Sequence, residues 1–233
     1  MAKRNGRGSD WQSRTATAIT GGMTVPRLAD GRGGLHHPDR PVTGGRSAAT
    51  EKTMDDALQD MIDREAIRLC LARLARGEDR RDATLIQSCW WPDARFDFGI
   101  KSGDFAAYLA WVVPGAQAVR NTQHFLGQSH FERGSDGDDN LWLVETPMLS
   151  PHRIATGADS ARDICIAGRY LDRFVRRDGE WRIAERLLLY DWSQDFGAAA
   201  DWSQGVMGAP FSAPHFAGSA QGDHSATFFG KSR

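Results

Sequence analysis

The sequence predicts an α+β fold in which N-terminal helices cover one face of a curved, mostly antiparallel sheet. Three observations carry this expectation. Helix-capping signals and apolar residues at helical spacing are concentrated between Thr53 and Pro114. From about residue 122 the pattern changes to the two-residue alternation of strands. The last two runs, 163–176 and 180–192, are joined by Arg177-Asp178-Gly179, and Asp-Gly is a favoured hairpin turn. Helices followed by a series of strands form an α+β pattern.

The first helix opens at Thr53-Met54-Asp55-Asp56, which resembles a capping box, with Asp63 as a second candidate cap. Leu58, Met61, Ile62, Ala66, Leu69, Cys70 and Leu74 recur at helical spacing and predict its buried face. Gly77 predicts its end, as a residue able to turn left-handed. Asp82 caps a second helix with Leu85, Ile86, Cys89 and Trp90 on its face, and Pro92 stops it. Asp79 lies in the elbow of this hairpin. Phe96 and Phe98 alternate with charged neighbours, giving a short strand over 94–98. Asp104 opens a third helix carrying Phe105, Tyr108, Leu109 and Val112, which Pro114 closes. A strand over 122–132 places Thr122, His124, Leu126, Gln128 and His130 on one face. Residues 141–152 alternate as well, and Pro147 among them implies a bulge or an edge. In the final hairpin, Phe174 and Trp181 are expected to pair across the strands.

Composition bounds the function. The 233 residues are 40% hydrophobic, enough for a core, and the net charge of -1 offers no basic field for nucleic acid. Cys70, Cys89 and Cys165 are widely spaced with no CxxC, which argues against a disulfide framework or a zinc ribbon. Apolar runs stop short of the roughly 18 residues of a membrane helix, and no secretory apolar segment stands at the N-terminus. A cytoplasmic protein with no membrane or nucleic-acid partner is expected. Residues 1–53 are set apart, since the first 50 hold 8 Lys/Arg against 3 Asp, and 9 of the 25 glycines. They predict a disordered basic extension, with an Arg/Gly arm for nucleic acid or a transit peptide as the functional alternative. Residues 54–193 form the folded domain. Residues 194–233 return to Gly, Ala, Ser and Pro yet carry Trp202, Phe211, Phe216, Phe228 and Phe229, a tail able to cap a pocket or a subunit interface.

Several stretches together carry a resemblance. Asp79 with Trp90-Trp91-Pro92-Asp93-Ala94, His124 before a long strand, and Gly168-Arg169-Tyr170 followed by Arg176-Arg177-Asp178-Gly179-Glu180-Trp181-Arg182-Ile183 resemble the SnoaL-like branch of the nuclear transport factor 2-like superfamily. Within it the chain is similar to the dehydrochlorinase, bile acid dehydratase and scytalone dehydratase type, over roughly residues 55–193. The resemblance implies a cone-shaped α+β barrel around a deep apolar pocket, with a carboxylate facing a histidine. These match Asp79 and His124, and an arginine that holds negative charge in some members matches Arg186. Where several dehydratases carry a polar residue one turn before the carboxylate, this chain has Leu74.

The chemistry follows from the residue types. A histidine is a suitable base near neutral pH, and a carboxylate on its far nitrogen fixes the tautomer and stabilises the imidazolium. His124 is therefore the expected base, Asp79 its orienting partner, and Arg186 the group that stabilises an enolate or departing anion. Leu74, Trp90, Phe96, Phe98, Leu109, Val113, His152 and Trp192 are the candidate pocket walls. His124 and His130 lack a third ligand at sensible spacing, so no metal site is expected. The predicted activity is cofactor-independent elimination or isomerisation of a small hydrophobic ring compound by a homodimer or homotrimer. The alternative is a non-catalytic ligand-binding or assembly subunit resembling the β subunit of ring-hydroxylating dioxygenases.

Overall fold

A computed structural model describes residues 53–134, 138–201, 205–212, 218–220 and 223–229. Residues 1–52, Trp202 and Phe216 lie outside them, and with them the expectation of a disordered arm. The chain divides into two units, Met1–Ala49 and Thr50–Arg233; the second is described below.

Helix α1 (Met54–Asp79) begins with the capping box, in which Thr53 Oγ1 accepts from the Asp56 N–H at 3.1 Å and Asp56 Oδ2 accepts from the Thr53 N–H at 3.2 Å. Its inward face is not the expected one in the first half. Leu58, Met61, Ile62 and Leu69 are exposed, while Asp60 and Asp63 are buried. Both carboxylates have fixed partners: Arg133 donates to Asp60 at 2.5 Å, and Trp181 Nε1 donates to Asp63 at 3.0 Å. From Ile67 onward the face is apolar, with Ile67, Cys70, Leu71 and Leu74 buried. Gly77 does not end the helix. A Cβ there would meet Ile86 Cγ1 at 3.0 Å, so the glycine admits the next helix, and Arg81 (φ 51°) makes the left-handed turn instead.

Helix α2 (Ala83–Gln87) is capped by Asp82, whose Oδ1 accepts from the Leu85 N–H at 3.0 Å. Trp90 opens strand β1 (Trp90–Asp97) rather than closing the helix, and Pro92 falls where the register of β1 shifts, between Trp90 and Arg95. Strand β2 (Ser102–Asp104) leads into α3 (Phe105–Val112), with the Asp104 carboxylate accepting from the Ala107 N–H.

The strand expected over 122–132 is three short ones: β3 (Val119–Thr122), β4 (Phe125–Leu126) and β5 (His130–Arg133). All three pair with one side of β6 (Leu141–Ala155). Pro147 lies between the β4 and β5 pairings, where a missing N–H leaves no ladder bond broken, and its register with β7 (Ala161–Arg177) is continuous. Strand β8 (Glu180–Ala198) follows a tight turn at Asp178 and Gly179, both at positive φ. A register shift between Arg173 and Phe174 puts Phe174 opposite Ile183 and Trp181 opposite Arg176, so the two aromatics do not face each other.

The sheet order is β2-β1-β8-β7-β6-β3, antiparallel except for β1 against β8. It is a curled α+β half-barrel, and its inner face (Val144, Met148, Tyr170, Phe174, Ile183) joins Ile67, Cys70, Leu74, Trp90 and Tyr108 in one core. A short helix, α4 (Ser225–Phe228), is tied to α1 by Arg76, which donates to Ser225 Oγ at 3.3 Å and lies 4.6 Å from the Phe229 ring.

Candidate active site

Asp79 is the last residue of α1, and because Asp82 serves as the cap of α2, the Asp79 carboxylate is available to the sheet. His124 lies in the gap between β3 and β4, so its backbone N–H belongs to no ladder. That N–H donates to Asp79 at 3.1 and 3.2 Å, and His124 Nδ1 lies 2.7 Å from Asp79 Oδ1. One carboxylate thus holds both the backbone and the ring. This assigns the proton of neutral His124 to Nδ1 and leaves Nε2 free to accept. Burial alone would depress the imidazole, but the Asp79 hydrogen bond and the Glu78 and Asp79 charges outweigh it and raise the pKa above the usual value.

His124 faces a cavity of about 300 Å³. Its apolar wall includes Phe98, Trp111, Met148, Ile166, Tyr170 and Leu188; its polar groups include Glu78, Thr122, Ser150 and His152. Glu78 was not among the sequence candidates. Its Oε1 accepts from the buried Tyr108 hydroxyl, and its Oε2 lies 3.6 Å from His124 Nε2. The signal was present: Leu71, Leu74 and Glu78 fall three and four residues apart, on the buried stripe of α1. His152 Nε2 lies 3.1 Å from Ser150 Oγ, and burial followed by repulsion from His124 lowers its pKa to about 4. Thr122 Oγ1 is buried without a hydrogen-bond partner. Arg81 braces one wall, donating to the Pro114, Ala116 and Val119 carbonyls at 3.1, 3.4 and 2.8 Å.

Arg186 occupies a different place from the one expected. It is 2% exposed and does not line the cavity. It donates to both oxygens of Asp172, at 2.7 and 2.9 Å, lies 4.0 Å from the Tyr170 ring, and reaches within 4.0 Å of Glu78 Oε1. Its charge is met by Asp172 and Glu78, so it supports Tyr170 and Glu78 from behind rather than facing an anion in the cavity. Among the expected walls, Phe98 and His152 line the cavity. Leu74, Trp90 and Phe96 are packed in the core, and Leu109 and Val113 pack against it because α3 turns Tyr108, Trp111 and Val112 to the cavity instead. Trp192 lies further along β8 and is 53% exposed. His130 is exposed, beside Glu132. Among the described residues, no group of three or more His, Cys, Asp or Glu is arranged to hold a metal ion, and no helix is long and apolar enough to cross a membrane.

The solved structures that resemble this chain share its fold. A hexachlorocyclohexane dehydrochlorinase, LinA type 2, superposes with a TM-score of 0.53 at 20% identity, covering 68% of this chain and 98% of its own. LinA type 3 from Novosphingobium barchaimii LL02 gives 0.53 at 20% identity, over 68% and 99%. A candidate scytalone dehydratase from Novosphingobium aromaticivorans gives 0.52 at 16% identity, over 67% and 98%. No curated protein matches the chain. The model of the SnoaL-like domain matches residues 59–187, more than half of the sequence, running from within α1 into β8, and the chain belongs to that family.

Proposed function

We propose that this protein is a cofactor-independent lyase or isomerase that removes a proton from a small hydrophobic ring compound, with His124 as general base and Asp79 as its orienting partner. The observation that carries this reading is the 2.7 Å contact between Asp79 Oδ1 and His124 Nδ1 beside a largely apolar cavity. Nε2 accepts the C–H proton, Asp79 stabilises the imidazolium that results, and the cavity walls keep water from the carbanion or enolate. The cavity volume lies at the lower end of the range for small-molecule sites and suits a compound of one or two rings. The dehydrochlorinase and the candidate scytalone dehydratase among the similar structures support elimination as the reaction class. Hydroxylated and halogenated ring ketones are the substrates to screen. With any that turns over, His124→Ala is expected to abolish activity with an unchanged circular dichroism spectrum, and Asp79→Asn to cost nearly as much. Full activity in either variant overturns the mechanism.

A second reading, a binding or assembly subunit, is favoured by the outer face of the sheet, where Leu149, Leu187 and Leu189 are exposed. The two readings are compatible if that face joins copies of this chain into a dimer or trimer around separate cavities. Ligand uptake without turnover in the same screen would favour the second.

A further inference from the structure

Resting on the proposed elimination chemistry, we infer that Glu78 is a second catalytic residue, the acid that protonates a departing hydroxyl, and that the substrates are therefore β-hydroxy carbonyl compounds that lose water rather than halides.

Three features of Glu78 support this role. It is 7% exposed yet lines the cavity, on the same side as His124. Its two oxygens have different surroundings: Oε1 is held by the Tyr108 hydroxyl and lies 4.0 Å from Arg186 Nη1, whereas Oε2 accepts no hydrogen bond among the described residues and stands 3.6 Å from His124 Nε2. That separation is too long for a hydrogen bond and short enough for one proton to be shared between the two sites once either moves. The groups facing Glu78 are thus a hydroxyl, a guanidinium already paired with Asp172, and the proposed base itself.

The leaving group follows from this charge arrangement. A departing chloride carries a negative charge and needs a cation or a row of donors. Near Nε2 it would meet the Glu78 carboxyl. Arg186 lies behind Tyr170 and off the cavity wall, and Arg81 is engaged with three carbonyls. Hydroxide, in contrast, is a poor leaving group unless protonated, and a carboxylic acid beside the base supplies that proton. In the productive state His124 is neutral and Glu78 carries the shared proton. Nε2 takes the C–H proton, and the C–H electron pair forms the new C=C bond. The C–O bond breaks with its pair on oxygen, which takes the Oε2 proton and leaves as water. The imidazolium and carboxylate that remain are neighbours, and return of the proton from Nε2 to Oε2 restores both.

The test uses the full chain with 4-hydroxy-4-phenylbutan-2-one and 4-chloro-4-phenylbutan-2-one, two leaving groups on one skeleton, corrected for uncatalysed elimination. Glu78→Gln keeps the size and an acceptor for Tyr108 but cannot donate its proton. It is expected to lower turnover of the hydroxy ketone about 10²- to 10³-fold and that of the chloro ketone less than about fivefold, because chloride needs no proton. Glu78→Asp, which keeps an acid, should recover part of the hydroxy-ketone rate. Equal losses on both substrates would make Glu78 a positioning residue and overturn the proposal, as would no loss, or a wild-type enzyme that acts on the chloro ketone alone. Independently of substrate, ¹⁵N NMR titration of His124 should show its midpoint fall in Glu78→Gln; an unchanged midpoint excludes the shared proton. The underlying reading fails separately, if His124→Gln retains turnover of either ketone.

Discussion

The contact between Asp79 and His124 sets the protonation state of the site. Burial disfavours the imidazolium, yet two carboxylates on either side of the ring more than compensate, so His124 holds its proton to higher pH than a free histidine. A base must be neutral to act, so the rate of losing a group that needs no proton should rise with pH through a midpoint above 6.5 and then level off, whereas loss of water, which also needs the proton shared with Glu78, should fall through that midpoint. Asp79→Asn removes the orienting charge and should move that midpoint down; a profile identical to wild type would separate Asp79 from the base. The same shift is a stability statement. A raised folded pKa contributes stability that is fully present below the unfolded value near 6.5 and is lost as pH rises through the folded value. His152 acts in the opposite sense. Its pKa, lowered to about 4, means the unfolded chain binds that proton first, so stability falls as pH drops from 6.5 toward 4. Urea midpoints of His124→Gln and His152→Gln across pH 4 to 9 should diverge from wild type in these two separate windows.

Elements position these side chains, and the sequence disclosed them unequally. Local signals were legible: the Thr53 and Asp82 caps, the Asp178-Gly179 turn, and the third helix from Asp104 all stand where short-range chemistry puts them. Asp79 and His124 were legible only through the resemblance, because nothing local marks a 45-residue separation as a contact. Periodicity misread the first half of α1, since Asp60 and Asp63 point inward only because Arg133 and Trp181, far along the chain, meet them there. Arg186 was misassigned for the same reason, its partner Asp172 being a cross-strand neighbour on β7. Removing that partner leaves a buried guanidinium without its hydrogen-bonded carboxylate. Asp172→Ala should cost about 3–5 kcal/mol, read as a lower urea midpoint, and the paired change Asp172→Leu with Arg186→Met should recover most of it. Gly168 sits at a bulge between β7 and β8, where a Cβ would meet the Leu189 carbonyl oxygen at 2.2 Å. Since a backbone atom cannot step aside cheaply, Gly168→Ala should destabilise by about 1–3 kcal/mol and move Leu188 and Tyr190, two walls of the cavity; an unchanged melting temperature would contradict this.

At the level of the whole unit, the curled sheet has an inner face that makes the core and the cavity and an outer face left without cover by the described residues. Along β6 the alternation is clear, with Trp142, Val144, Thr146, Met148 and Ser150 buried and the residues between them turned outward. Leu149, Leu187 and Leu189 belong to that outward set, at 44%, 36% and 39% exposure, and register places β7 between the two strands that carry them. Exposed leucines on two strands of one sheet face contribute apolar surface that a monomer would leave in water, and isologous burial of such surface is the usual route to a symmetric dimer. The charged members of the same face are paired with each other, Arg169 with Asp191 at 3.1 Å and Arg173 with Glu185 at 3.8 Å, so they would not oppose a second copy by net repulsion. The expected outcome is a dimer or trimer by sedimentation velocity at micromolar concentration. Leu187→Asp combined with Leu189→Asp should give a monomer that keeps the Asp79–His124 contact and its pH profile, because neither side chain reaches the cavity. A wild-type chain that sediments as a monomer would show that water alone covers this face, and a variant that stays assembled would move the interface elsewhere, with the exposed stripe of Leu58, Met61, Ile62 and Leu69 on α1 as the next surface to alter.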